Sequence, residues 1–541
     1  MKKLLFLLFL CALILASHRH PAFAAEDAEQ ILAQVTGEHW ACKVVAELGR
    51  KYEAEKKLPD SVVVEGKPCS KGEVASCLLS VIKKVKEKCD KEGTDAVPKE
   101  DLERISKLHD ALKKELEGME GYPTLREFIK KMLAKPEEPS FLLKTGAKGF
   151  LRGEAAGNQR LTDFSYNPGH SEGRFLYRVL PYAYWHPTDF IDIHIEGQGY
   201  GYTGGSQYQG KVSLYQGFVE GRLPDSELLA LKVGRQELVY GSAFILGADA
   251  FYKGLTYDAA RLRVKPTGAL TIDLLGGWYS HPWSNGVNGY LAGGYATYAF
   301  REGTALEAYG LVDTGSSDHH RGEHTAIWGL RGTAKIGPVS LEFEPVYETG
   351  RTFNNTTGNN DDIDAWGGHA DATYETDLLG RKNTFFASYA YGSGSKDAVN
   401  GDSSRREFHH LATDTSLTGD MSLIGDLSGV DVGNYRASGL QVFNLGWGLE
   451  IMKDLNFSAA GRYFYANDVP DGFNRNIGLE TDFTFTYALN DNLSILVGYD
   501  HFFTGRFFRD AAGSGNDVDY GYVMLQFDIS KSWPKLKLRK S

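Results

Sequence analysis

From about residue 141 the chain alternates apolar and polar positions with a period of two. In the stretch 190–199, Ile191, Ile193 and Ile195 fall on one face, and Asp192, His194, Glu196 and Gln198 on the other. Residues 338–348 repeat the pattern, with Val339, Leu341 and Phe343 against Ser340, Glu342, Glu344 and Glu348. Residues 477–487 do so again, with Ile477, Leu479, Phe483 and Phe485 against Glu480, Asp482, Thr484 and Thr486. Such alternation predicts β-strands with one apolar and one polar surface. A soluble sandwich gives the same alternation, so the connections must decide between them.

Strands are predicted to start near residues 144, 174, 190, 210, 229, 255, 269, 290, 304, 324, 338, 364, 382, 438, 455, 476, 492 and 518, about 18 in all. The connections after the even members are short: 187–189, 223–228, 266–267, 301–303, 336–337, 377–381, 453–454 and 490–491. Those after the odd members read as longer and rich in Gly, Asn, Asp and Ser. An even strand count with short turns at one end and long loops at the other is the pattern of an outer-membrane β-barrel, the short turns facing the periplasm. Both ends of the barrel then lie in the periplasm. The connection at 394–437 is too long to be passive, and its apolar centre (Leu417, Met421, Leu423, Ile424 and Leu427) predicts a segment that folds inward. Aromatic clusters such as Tyr182, Tyr184 and Trp185, or Trp278 and Tyr279, suit interfacial girdles.

The period is different before residue 136. Val74, Leu78, Val81, Ile82 and Val85 recur at helical spacing, as do Leu102, Ile105, Leu108, Leu112 and Leu116, and Thr124 to Leu133 forms a third helical stretch. A small, mostly α-helical domain over 25–135 and a Pro-containing linker at 136–140 therefore precede the barrel at 141–529, and a basic tail at 530–541 follows it. At the start, Lys2-Lys3, the apolar run Leu4 to Ala16 and Ala22-Phe23-Ala24 read as a signal peptide over 1–24.

Composition narrows the picture. The 541 residues have a formal charge of −11, which becomes −14 once Lys2, Lys3 and Arg19 leave with the signal. That balance argues against nucleic acid as a partner. After Cys11 is removed, the remaining cysteines, Cys42, Cys69, Cys77 and Cys89, all lie in the first segment. In an oxidising periplasm they are candidates for up to two disulfides, with three connectivities open. The histidines at 319, 320, 324, 409 and 410 match no metal-ligand spacing and read as loop residues. His369 with Asp371, and His194 with Asp192, share faces without a nucleophile motif, so no catalytic, cofactor or metal site is assigned and no enzyme is expected.

Two stretches carry resemblances. Leu231-Lys232-Val233-Gly234-Arg235-Gln236-Glu237-Leu238, then Tyr257-Asp258-Ala259-Ala260-Arg261-Leu262-Arg263 and the segments Ile477 to Asp482 and Phe502 to Gly505 resemble the alginate-export family of bacterial outer-membrane porins. That resemblance implies an 18-stranded barrel passing a solute passively, with no bound cofactor. His39-Trp40-Ala41, Val44 to Leu48, Leu58-Pro59-Asp60 and Lys71 to Ala75 loosely resemble the S-layer-homology-type module of some porins. This second resemblance implies attachment to peptidoglycan through residues 25–120.

The candidate selectivity residues are those on the polar faces. Arg178, Lys232, Arg261, Arg263, Arg331 and Arg462 are the cations; Asp192, Glu196, Glu342, Glu344, Glu480 and Asp482 are the anions. Arg235 is added as a further candidate, although strict alternation from Leu231 and Val233 aims it at lipid. A bulge at Gly234 or a place at the rim would turn it inward, and a pairing with Glu237 is the alternative. The sequence thus predicts a mixed-charge porin lumen for ions and small polar or anionic solutes, in contact with outer-membrane lipid and lipopolysaccharide. An alginate-like polysaccharide channel, or a barrel sheathing another envelope component, is the alternative reading.

Overall fold

The computed structural model describes parts of residues 35–122 and most of residues 141–534; within the latter it leaves out 205–206, 225, 249–252, 281–288, 315–322, 355–358, 379, 400–406 and 410–415. The chain separates into two units, 1–140 and 141–541. The expected signal peptide, third helix (124–133) and linker fall outside the described residues.

In the first unit, helices α1 (Trp40–Lys51) and α2 (Lys71–Glu92) pack around one apolar core. Val74, Leu78, Val81, Ile82 and Val85 are all buried there, as their spacing predicts, together with Ile105, Leu108, Leu112 and Leu116 from the next helical stretch. Tyr52 donates a 2.6 Å hydrogen bond to Asp101, which also pairs with Lys51 at 2.7 Å. Cys77 is a correction to the disulfide expectation: its side chain is a thiol inside this core. The helical spacing that buries the apolar stripe buries Cys77 with it. Desolvation pushes that thiol up to about 11, so little reactive thiolate forms at neutral pH. Cys89 packs at the core's margin, and the side chains of Cys42 and Cys69 lie outside the described residues.

The second unit is a closed antiparallel barrel of 18 strands. In chain order these are β1 (Phe141–Gln159), β2 (Tyr166–Thr188), β3 (Ile191–Gly204), β4 (Gln207–Arg222), β5 (Leu229–Gln236) and β6 (Thr256–Val264). Next come β7 (Leu270–Ser280), β8 (Tyr290–Arg301), β9 (Thr304–Asp313), β10 (His324–Ile336), β11 (Val339–Asn354) and β12 (Asn359–Leu378). The last six are β13 (Arg381–Gly392), β14 (Tyr435–Met452), β15 (Leu455–Asp468), β16 (Asn476–Asn490), β17 (Leu493–Thr504) and β18 (Val518–Pro534). Each strand pairs with its neighbours in sequence, and β18 closes onto β1 from Asp519↔Gly157 to Pro534↔Phe141. Residues 530–534, expected in the tail, therefore continue the last strand, because β1 offers partners for their backbone. Closure leaves no unpaired edge, which a sheet in hydrocarbon requires.

The outward face is apolar and exposed, with Leu231, Val233, Leu274, Trp328, Leu445 and Val523 among its residues. The tight turns sit where the sequence placed them; Gly337, at φ +59°, supplies the left-handed residue of the β10–β11 turn. The loops after the odd strands are less uniform than expected. β3 and β4 pair to Gly204↔Gln207, and β11 and β12 to Asn354↔Asn359, so those two hairpins spend the length as strand instead of loop.

Candidate functional site: the lumen and its loops

The inward positions carry the charges. Arg178, buried on β2, donates to Gln198 at 2.9 Å and lies over the Tyr215 ring. Lys232 on β5 and Arg261 on β6 stand opposite each other and share Glu220, at 3.6 and 3.5 Å. Lys232 also sits 4.0 Å from the centre of the Phe218 ring. Arg263 makes a two-pronged pair with Asp273 at 2.8 Å. These residues build a basic arc on β2, β5 and β6. On β3, Asp192 is held by His186 and Arg222, and Glu196 by His194 at 3.1 Å.

A second arc is acidic. On β11, Glu342 and Glu344 point inward two residues apart. Arg331 on β10 grips Glu342 at 2.8 and 2.9 Å and reaches Glu307 on β9 at 2.9 Å. Tyr309 on β9 donates to Glu344 at 2.7 Å. His369 on β12 stands opposite Glu344, and Asp371 opposite Glu342. A third group lies on β15–β17, where Arg462 pairs with Asp482 and Glu480 is fully buried.

Arg235 is the correction to the sequence prediction. It points outward, where Asp258 on β6 holds it at 2.8 and 2.9 Å. The β4–β5 ladder runs through Gly234 without a register shift, so no bulge turns the side chain inward. Asp258 is paired in register with the exposed Trp278, which places the ion pair beside an outward aromatic instead of alone in hydrocarbon. Glu237, its alternative partner, instead accepts from Tyr215 at 2.6 Å.

Two loops run inside the wall. The connection from β13 to β14 (393–434) folds inward as expected: the backbone N–H of Asp420 donates to Glu480 at 2.9 Å, Gln159 of β1 donates to the Met421 carbonyl at 3.2 Å, and Met421, Ile424 and Leu427 are buried. The connection from β5 to β6 (237–255) does the same and was not foreseen. Its Ser242 donates to Glu344 at 3.0 Å, and the Phe244 ring meets His369 at 4.7 Å, edge-on. The apolar run Ala243-Phe244-Ile245-Leu246 in a polar loop was the signal available. The two loops touch each other, Phe244 stacking on Phe408 with ring centres 5.8 Å apart.

Ser242, His369 and Asp371 have the order of a hydrolase triad, with Ser242 3.4 Å from His369 and His369 2.5 Å from Asp371. The serine proton, however, is directed at Glu344. A hydroxyl already spent on a carboxylate is not an activated nucleophile.

The model of the family described as "Alginate export" matches residues 206–519. Among solved structures, the chain resembles OccAB1 of Acinetobacter baumannii with a TM-score of 0.50 and 10% identity, over 73% of this chain and 99% of that one. It resembles OccK2 (OpdF) of Pseudomonas aeruginosa with a TM-score of 0.50 and 12% identity, over 72% and 99%. No curated protein matches by sequence. At such identities the likeness concerns the fold, an outer-membrane porin-type β-barrel.

Proposed function

Because the chain belongs to the alginate-export family, we propose that it is an outer-membrane channel for the passive diffusion of ions and small polar or anionic solutes. The observation that carries this reading is the inward charge pattern: a basic arc (Arg178, Lys232, Arg261, Arg263) and an acidic arc (Glu307, Glu342, Glu344), with two mutually touching loops inside the wall. Opposed charges set up a field across a pore, which orients small dipolar solutes and weighs their charge. Lys232 and Arg261 share one carboxylate at Glu220, while Arg222 is held by Asp192, and that excess of one positive charge favours anions on this side.

The family's description carries the alternative of an alginate-like polysaccharide. A polyanion would have to slide past the inward carboxylates of β11 and β16 and past two loops in mutual contact, which favours the small-solute reading. The parity of the turns supports a periplasmic first unit, and its loose likeness to the S-layer-type module supports a tether to peptidoglycan. No chemical step is assigned to the lumen.

The test is the reversal potential across a planar bilayer in a salt gradient. Neutralising Arg261→Gln and Arg263→Gln together should shift it toward cation preference. An unchanged potential would remove the basic arc from the solute path.

A further inference from the structure

We propose that Glu342, Glu344 and His369 form a binding site for one divalent transition-metal ion such as Zn²⁺ on the lumen wall. A carboxylate oxygen of each glutamate and a ring nitrogen of the histidine lie within 4.8 Å of one another. His369 Nε2 is 3.5 Å from Glu344 Oε2 and 3.9 Å from Glu342 Oε1. A tetrahedral ion with bonds of about 2.0–2.1 Å spaces its ligands about 3.4 Å apart, so small side-chain adjustments bring all three onto one ion.

The strands create this arrangement without loop adjustment. Glu342 and Glu344 share a face because they are two apart on β11, and His369 is the cross-strand partner of Glu344. Each ligand is also oriented by a neighbour. His369 Nδ1 bonds Asp371 at 2.5 Å, which directs Nε2 to the glutamates. Tyr309 holds the far oxygen of Glu344; Arg331 binds both oxygens of Glu342 and lies 3.8 Å from Glu344 Oε2, so an ion enters by replacing the Arg331 bond to Glu342 Oε1. Metal-ligating histidines and carboxylates characteristically have such outer partners. Ser242 Oγ donates to Glu344 Oε2 at 3.0 Å.

Charge balance points the same way. Glu307, Glu342, Glu344 and Asp371 bring four negative charges against Arg331 and at most one on His369. The side chains of Glu344 and His369 are 3% and 2% exposed, and buried charges that are not balanced by partners are costly unless a metal neutralises them. One imidazole with two carboxylates suits a borderline ion more than Ca²⁺ or Mg²⁺, which prefer all-oxygen sets. The site stands apart from the transport reading, since its test is binding to the detergent-solubilised protein.

The whole protein in detergent, stripped with EDTA, is titrated with Co²⁺ and then Zn²⁺. The expected result is one Co²⁺ per chain, with the spectrum of nitrogen and oxygen donors, no thiolate charge-transfer band, and displacement by Zn²⁺. Glu344→Gln and His369→Ala should abolish it. Asp371→Asn, which keeps all three ligands, should weaken it by about 10–100-fold with the β-rich circular dichroism intact. The proposal is overturned by a thiolate spectrum, by no saturable binding, or by wild-type affinity in Asp371→Asn together with either ligand variant.

Discussion

At residue 234 a glycine sets how closely β4 and β5 approach. Its φ is +127°, and a Cβ there would lie 2.3 Å from the Gly217 carbonyl oxygen and 2.8 Å from the Phe218 Cα. Backbone cannot yield as a flexible side chain can, so Gly234→Ala should destabilise the barrel by about 1–3 kcal/mol. Denaturant titration of the detergent-folded protein measures it. The next residue tests the facing. Because Arg235 is bound to Asp258 on the outer face, Arg235→Gln should leave the reversal potential at the wild-type value, in contrast to the Arg261 and Arg263 variants. A charge on the lipid face costs about 2–4 kcal/mol at the midplane and far less near the interface; the neighbouring Trp278 and the paired Asp258 fit the cheaper position. The other twelve inward candidates were legible because a period of two assigns faces by counting. What counting misses is partnership: which inward side chains meet Glu220, Glu307, Asp273 and Tyr309 depends on the register between neighbouring strands and on side-chain reach, which a period of two does not give.

Among the elements, the strands were legible in number and order, since each is bounded by turn residues and interrupted periodicity, while several ends run further, β2 starting at Tyr166 and β12 at Asn359. The loops were not, because a connection's path depends on contacts far along the chain. Residues 237–255 travel from β5 to reach β11 and β12, and the Phe244–Phe408 contact joins the buried aromatics of the two loops. Phe408→Ala removes that contact and should raise single-channel conductance without altering the circular dichroism of the barrel. Acid should loosen the same loop. Burial alone would raise the Glu407 carboxyl, but hydrogen bonds from His409 and Arg436 and the Arg436 charge win and lower it to about 2. A carboxyl depressed in the folded state adds stability above its ordinary value of 4.5, and that stability is lost as pH falls from there toward about 2. Conductance should therefore be steady above pH 5 and rise or become noisy below about 4, and Glu407→Gln should show that behaviour already at pH 7.

For the whole molecule, an acidic chain with apolar strand faces makes sense only if the outward face meets lipid and the inward face meets water. The barrel buries polar side chains inside and exposes Leu, Val, Phe and Trp outside, the reverse of a water-soluble domain. The proposed reading is that the two inward loops narrow this channel and the charged arcs make it selective. Single-channel recording of the reconstituted full chain in a planar bilayer tests that claim most directly. Discrete, stable ion-conducting steps are predicted; folded barrels that insert and carry no current would contradict it.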